Sequence, residues 1–126
     1  MADTIETYRT VTPYLVVPDA DAEIRFLKAA FDATEALCHR NPDGTVMHAE
    51  FHVGNSLIML GQANAQWKAL SASLYVWLPD VDATYARALE AGATSLSAPE
   101  DKPYGHRNAG VVDQNGISWW IGSPIA

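Results

Sequence analysis

The chain has 126 residues, 48% hydrophobic and 18% charged, which describes one globular domain over 1–126, or two half-size modules sharing a core, and excludes a disordered chain, a collagen or a coiled coil. Its formal charge of −7, with no run of Lys or Arg, excludes nucleic acid as an expected partner, and about two thirds of the surface can be buried at this length without help from a disulfide or metal. The single cysteine, Cys38, the acidic opening residues and the lack of any apolar run near the roughly 20 residues of a bilayer span predict a cytoplasmic protein with no membrane partner.

In chain order, the β-branched and aromatic run Val11–Val17 predicts a strand. Asp19 or Asp21 then caps a helix whose Ile24, Leu27 and Phe31 recur at helical spacing. Pro42, Asp43 and Gly44 mark a turn, and Gly54-Asn55 is a two-residue loop of the kind that closes an antiparallel hairpin. The segment from Gly61 to Ser71, with Gln62, Asn64, Gln66 and Trp67, is a linker or a cover for a site mouth. Asp80 or Asp82 caps a second helix with Tyr85, Ala88 and Leu89 facing inward, and Gly92 suits the left-handed residue that ends it. Asn115-Gly116 closes a last hairpin.

These elements repeat. A shift of 61 lays Tyr14–Ala22 on Tyr75–Ala83 with five of nine pairs identical, and it also pairs Ala30 with Ala91, Pro42 with Pro103, Gly44 with Gly105 and Gly61 with Gly122. Nine identities over the 50 pairs from Thr12 to Gly61 exceed chance, and four involve Pro or Gly, whose backbone demands make coincidence harder. Each module, about 11–61 and 72–123, thus reads as strand, helix and three strands.

Counting outward from the hairpin loops assigns side chains to faces. Around Gly54-Asn55, the residues His48, Glu50, His52 and Met59 fall on an open face, with Ala49, Phe51, Ile58 and Leu60 under the helix. A two-residue loop at Asn115-Gly116 puts Arg107, Val111, Asp113, Ser118 and Trp120 on the open face, with Val112, Trp119 and Ile121 beneath.

A duplicated βαβββ module with Pro-Asp after its first strand, and with the stretch Tyr104–Gly122 carrying an Asn-Gly hairpin into Trp119-Trp120-Ile121-Gly122, resembles the vicinal oxygen chelate superfamily. This is the group of glyoxalase I, bleomycin-resistance proteins and extradiol dioxygenases, and the likeness is greatest to its small glyoxalase/bleomycin-resistance branch. The resemblance implies an α+β fold of two tandem βαβββ modules forming a cup-shaped, mostly antiparallel sheet, and a homodimer whose chains build two cups together. Metal-using members place one ligand on the first and one on the last strand of each module. The matching positions here are Thr12, Met59, Ser73 and Trp120. Hydroxyls, a thioether and an indole are poor ligands for divalent ions, so no metal and no cofactor is expected at the family position.

His48, Glu50 and His52 share a strand face, but the outer pair lies roughly 13 Å apart, so they cannot all hold one ion. His48 and Glu50 are candidates for an acid/base pair or a displaced metal. Cys38 is expected to be a small buried hydrophobe. Tyr14, Tyr75, Trp77, Met59 and Trp120, together with Glu50, would give the cup an aromatic lining suited to flat organic ligands. Arg107 would hold an anionic group, with Asp113 or Glu50 as its alternative partner, while His106 points the other way as a surface or loop residue. The sequence therefore predicts a protein that binds or sequesters a small organic molecule. A lyase, isomerase or dioxygenase-type enzyme working at His48 and Glu50 is the alternative.

Overall fold

A computed structural model describes residues 8–125; the acidic opening segment discussed above lies outside them up to Thr7. Ten elements follow in order: β1 (Tyr14–Val17), α1 (Ala20–Phe31), β2 (Thr34–Arg40), β3 (Val46–Val53), β4 (Ser56–Gln62), β5 (Ser73–Trp77), α2 (Val81–Glu90), β6 (Thr94–Asp101), β7 (His106–Val112) and β8 (Ser118–Pro124). The fold is α+β, with two tandem βαβββ modules.

Each module makes one four-stranded sheet, in the orders β1-β4-β3-β2 and β5-β8-β7-β6. The first strand of each runs parallel to the last and the other pairs are antiparallel. Asp19 and Asp80 are the helix caps, accepting hydrogen bonds from the backbone N–H groups of Ala22 and Ala83, each at 3.1 Å, which satisfies one orphan donor at each N-terminus. Asp21 and Asp82, two residues further on in the same turns, instead pair with Arg40 and Arg107 at 2.8 Å. Gly92 takes the left-handed conformation after α2, with φ of 105°. Leu89, expected inside, is exposed. The buried stripe of α2 is Val81, Thr84 and Ala88, with Tyr85 only partly covered.

The inner faces of both sheets close on one core. Helix α1 packs against α2, and its Phe26 and Phe31 reach across to Trp119 of β8, with ring centroids 6.4 and 5.0 Å away. Trp119 is fully buried and donates its indole N–H to Asp113 at 2.8 Å. β1 and β5 end their sheets rather than pairing with each other, so the two open faces point away from the shared core. A single chain therefore does not assemble one continuous cup.

The modules are also joined by polar contacts. Asn115, at the tip of the β7–β8 hairpin, accepts from the N–H of Asp19 at 2.9 Å and donates to its carbonyl at 2.8 Å, capping α1 from the other module. Its amide also donates to Glu23 at 3.1 Å. Glu23 is 1% exposed and lies beside the carboxylate of Asp113, which already accepts from the N–H groups of Asn115 and Ile117 and from Trp119. Burial, first, and the neighbouring Asp113 push Glu23 up to about 9, so Glu23 keeps its proton at neutral pH.

Because the folded chain keeps a Glu23 proton that the unfolded chain releases near 4.5, stability declines as pH rises between that value and about 9, by at most about 1.4 kcal/mol per pH unit. Glu23→Gln makes the donor permanent. Chemical unfolding across this window should show a shallower pH slope for Glu23→Gln than for the natural chain, and equal slopes would remove the proton from Glu23.

Candidate functional site

The β3–β4 hairpin has the expected register. Val53 faces Ser56 across the Gly54-Asn55 loop and Glu50 faces Met59, while Tyr14 of β1 sits beside Met59. Tyr14, Glu50 and Met59 thus share the open face of the first module. His48, two residues before Glu50, joins them: its Nε2 lies 2.8 Å from Glu50 Oε2 and its Nδ1 3.1 Å from the Tyr14 hydroxyl. Tyr8 donates to the other oxygen of Glu50 at 2.9 Å. Glu50 is buried, at 5% exposure, under these partners. Burial and the Glu50 charge push the Tyr14 phenol upward.

In the second module the register is one residue off the expected one. Asp113 pairs with Ile117 through Asp113 N–H to the Ile117 carbonyl at 2.9 Å, so the loop is three residues, Gln114 to Gly116, with Gly116 at φ 83°. That is the three-residue hairpin with a left-handed residue at its end, and the Asp113 side chain fixes it by accepting from two loop N–H groups. The slip moves every β7 side chain to the other face. Val111 goes into the core, and Asp113 joins it on the inner side. Arg107 leaves the open face and binds Asp82 at 2.8 Å and Asp101 at 3.1 Å. Neither Asp113 nor Glu50 is its partner, and a guanidinium held by two carboxylates is not placed to hold a ligand in the cup.

The same slip brings His106 and Asn108 onto the open face beside Tyr75, Trp77 and Trp120. Trp77 stands edge-on to the His106 ring at 4.7 Å, and Tyr104 does so at 5.1 Å. Tyr75 lies 4.6 Å from Trp77. Asn108, 2% exposed, donates to the hydroxyls of Tyr75 and Tyr104 at 3.2 and 3.1 Å. Glycines give the rings their seats: a Cβ on Gly110 would stand 2.6 Å from the Trp120 ring, and one on Gly122 would run into the Tyr75 phenol.

Tyr104, His106 and Asn108 escape a count that starts from a two-residue loop. The signal for them is Ala49 laid on Ala109, a shift of 60 rather than 61 within β3 and β7. That alignment places His48 over Asn108, and each contacts the hydroxyl of its module's first tyrosine.

The metal positions of the family do not form a ligand set. Thr12 precedes β1, Ser73 pairs with Ser118, and Met59 and Trp120 sit on separate sheets. Their hydroxyls, thioether and indole do not fit a divalent ion. Among the described residues, no group of three His, Cys, Asp or Glu side chains is placed to hold one. Cys38 is half-buried against the core.

One cavity, about 880 Å³, runs from Thr12 and Pro13 past the Val53–Ile58 hairpin tip to Tyr75 and Trp77 of β5. A second, about 470 Å³, opens between Tyr14, Met47, Gly61 and Trp67. The linker forms its rim: Leu70 N–H bonds to the Val16 carbonyl at 3.0 Å, and Asn64 accepts from the N–H groups of Gln66 and Trp67. No helix among the described residues is long and apolar enough to cross a membrane.

Residues 6–121 match the family model of the Glyoxalase/Bleomycin resistance protein/Dioxygenase superfamily. The chain is 35% identical to the uncharacterized protein Mb0911c of Mycobacterium bovis, over 91% of this chain and 83% of that one. It is equally similar to the uncharacterized Rv0887c of Mycobacterium tuberculosis, covering 74% of that chain. Among solved structures, TioX from Micromonospora sp. ML1 superposes with a TM-score of 0.72 at 27% identity, covering 92% of this chain and 96% of that one. The fosfomycin resistance protein FosX from Mesorhizobium loti shares the fold at 16% identity, with a TM-score of 0.68 over 92% of each chain.

The adjacent tryptophans should separate core from site. Trp119→Ala empties a buried seat and loses a hydrogen bond, and should cost about 3–5 kcal/mol in chemical unfolding. Trp120→Ala should cost about 1–2 kcal/mol, while Gly110→Ala should displace the Trp120 ring, altering near-ultraviolet circular dichroism at a cost of about 1–3 kcal/mol. Equal losses for the two tryptophans would make Trp120 a core residue.

Proposed function

Because this chain belongs to the Glyoxalase/Bleomycin resistance protein/Dioxygenase superfamily, we propose that it is a cytoplasmic homodimer that binds or sequesters a small organic molecule between the open faces of its sheets. The observation that carries this reading is the aromatic surface of the second module. Tyr75, Trp77, Tyr104 and His106 form one continuous ring cluster on a face that the chain's own core leaves outside. Tyr75, Trp77 and Tyr104 are 38%, 53% and 62% exposed, an arrangement that favours a flat ligand or a partner surface.

Two features support a dimer. β5 is an end strand whose outer edge is a template for pairing with another chain, the outer edge of β1 being partly taken by the linker through Leu70 N–H, and many of the exposed apolar residues lie on the open faces and their rims, with Tyr14, Met47, Trp67 and Leu70 on one side and Tyr75, Trp77 and Tyr104 on the other. A second copy placing the second-module face over the first-module face would enclose Tyr14, Glu50 and Met59 with Tyr75, Trp77 and Trp120. That restores the aromatic cup from two chains. The single cysteine supports a reducing compartment.

A second reading, an acid/base enzyme, is favoured by one arrangement, the hydrogen-bonded series Tyr14, His48 and Glu50 on the first-module face.

Sedimentation equilibrium at micromolar concentration should give about twice the chain mass, and a strictly monomeric species would remove the two-chain cup. Titration with a set of planar aromatic compounds, followed by tryptophan fluorescence, should show saturable binding that Trp77→Ala and Trp120→Ala weaken by tenfold or more, with Trp77→Ala leaving the melting temperature within a few degrees. Affinity unchanged in both variants would overturn the assignment of this face.

A further inference from the structure

The hydrogen bonds on the first-module face have a direction. Glu50 is buried, with Tyr8 donating to one oxygen and His48 Nε2 at the other. A carboxylate at that position holds the imidazole proton on Nε2, which leaves Nδ1 as the acceptor for the Tyr14 hydroxyl 3.1 Å away. The Tyr14 proton therefore points at His48, and the remaining lone pair on its oxygen faces outward as an acceptor. Because the phenol is pushed up by burial and by Glu50, Tyr14 stays a neutral O–H.

Tyr14 lines the 470 Å³ cavity, and so does Trp67, 62% exposed. Much of the polar lining is already engaged. Gln62 accepts from Ala20 N–H and donates to the Pro18 carbonyl, Asn41 donates to Thr45, and the Asn64 carbonyl oxygen holds the linker turn. Gly61 keeps the floor clear, since a Cβ there would stand 3.1 Å from the Tyr14 hydroxyl and 2.8 Å from the Met47 carbonyl.

We propose that Tyr14, His48 and Glu50 form a proton-accepting relay, and that the cavity between Tyr14 and Trp67 takes a small aromatic ligand through an acidic hydroxyl, a phenol or enol. On binding, the ligand O–H bond breaks and its proton passes to the Tyr14 oxygen as the Tyr14 proton passes to His48 Nδ1. The products are a bound oxyanion and an imidazolium held by Glu50. Charge and atoms balance, no oxidant or co-reactant is needed, and Tyr14 is neutral before and after. This inference rests on the reading of the open faces as small-molecule sites, and it assigns the first-module face a chemistry that the aromatic second-module face does not share.

The test uses the full chain and p-nitrophenol, whose ionised form is yellow, at about one pH unit below the phenol's own pKa. Saturable quenching of tryptophan fluorescence is expected, reduced in Trp67→Phe, together with a phenolate fraction several-fold above that of the same phenol in buffer. Glu50→Gln and His48→Gln should keep the quenching and lose the excess phenolate, and Tyr8→Phe should lower that excess in part. If Glu50→Gln does not fold by circular dichroism, His48→Gln and Tyr8→Phe carry the comparison. Quenching with no excess phenolate overturns the relay and leaves the binding reading standing. Binding that is unchanged in both Trp67→Phe and Tyr14→Phe overturns the site, and no saturable binding of p-nitrophenol or of any compound in the planar set overturns both readings.

Discussion

The structure depends on how the last hairpin grips the first helix. Asn115 caps α1 through the backbone of Asp19, Asp113 holds the indole of Trp119, and Trp119 packs against both Phe26 and Phe31. A cap, a buried hydrogen bond and an aromatic core each contribute on the order of a kilocalorie or more; the cap and the aromatic contacts join residues roughly ninety positions apart, while the hydrogen bond fixes the indole within its own hairpin. Their joint effect is geometric. With both inner faces committed to one core, the two polar and aromatic faces are turned outward, and a site built from both must draw one of them from another chain.

The grip is not repeated on the other side. The equivalent hairpin tip, Gly54-Asn55, approaches the start of α2, but its loop is one residue shorter. A cavity lies there, lined by Gly54 and by Leu78 to Asp80. A duplicated module thus carries a clasp at one junction and an opening at the other, and the difference originates in the Asp113 side chain that closes a three-residue loop.

That loop also marks where the sequence stops being legible. The repeat, the two capping aspartates, the order of elements and the first hairpin's register all follow from local signals: Pro and Gly positions, Asp before an apolar helix stripe, and alternation around Gly54-Asn55. Asn-Gly dipeptides serve both two-residue and three-residue loops, and choosing the wrong one exchanges Arg107 and Val111 for His106 and Asn108 on the open face. Trp119 and Trp120 keep their faces, because the slip falls within β7 and β8 keeps its alternation. The aspartate partners of Arg107 lie on α2 and β6, where no strand count reaches them.

The two modules keep one scaffold and diverge in what it presents. Each starts from a tyrosine on its first strand that lies over the last strand near a glycine, with a polar side chain on the third strand touching its hydroxyl: His48 with Tyr14, and Asn108 with Tyr75. A histidine backed by a buried carboxylate can take a proton, whereas an asparagine only exchanges hydrogen bonds. Replacing the histidine by asparagine, with Gly110 rather than Glu50 two residues on, removes the charge and frees space that the Trp120 ring occupies. One face is thereby equipped for proton movement and the other for ring stacking, and a pairing of unlike faces across two copies would bring both capacities to each site.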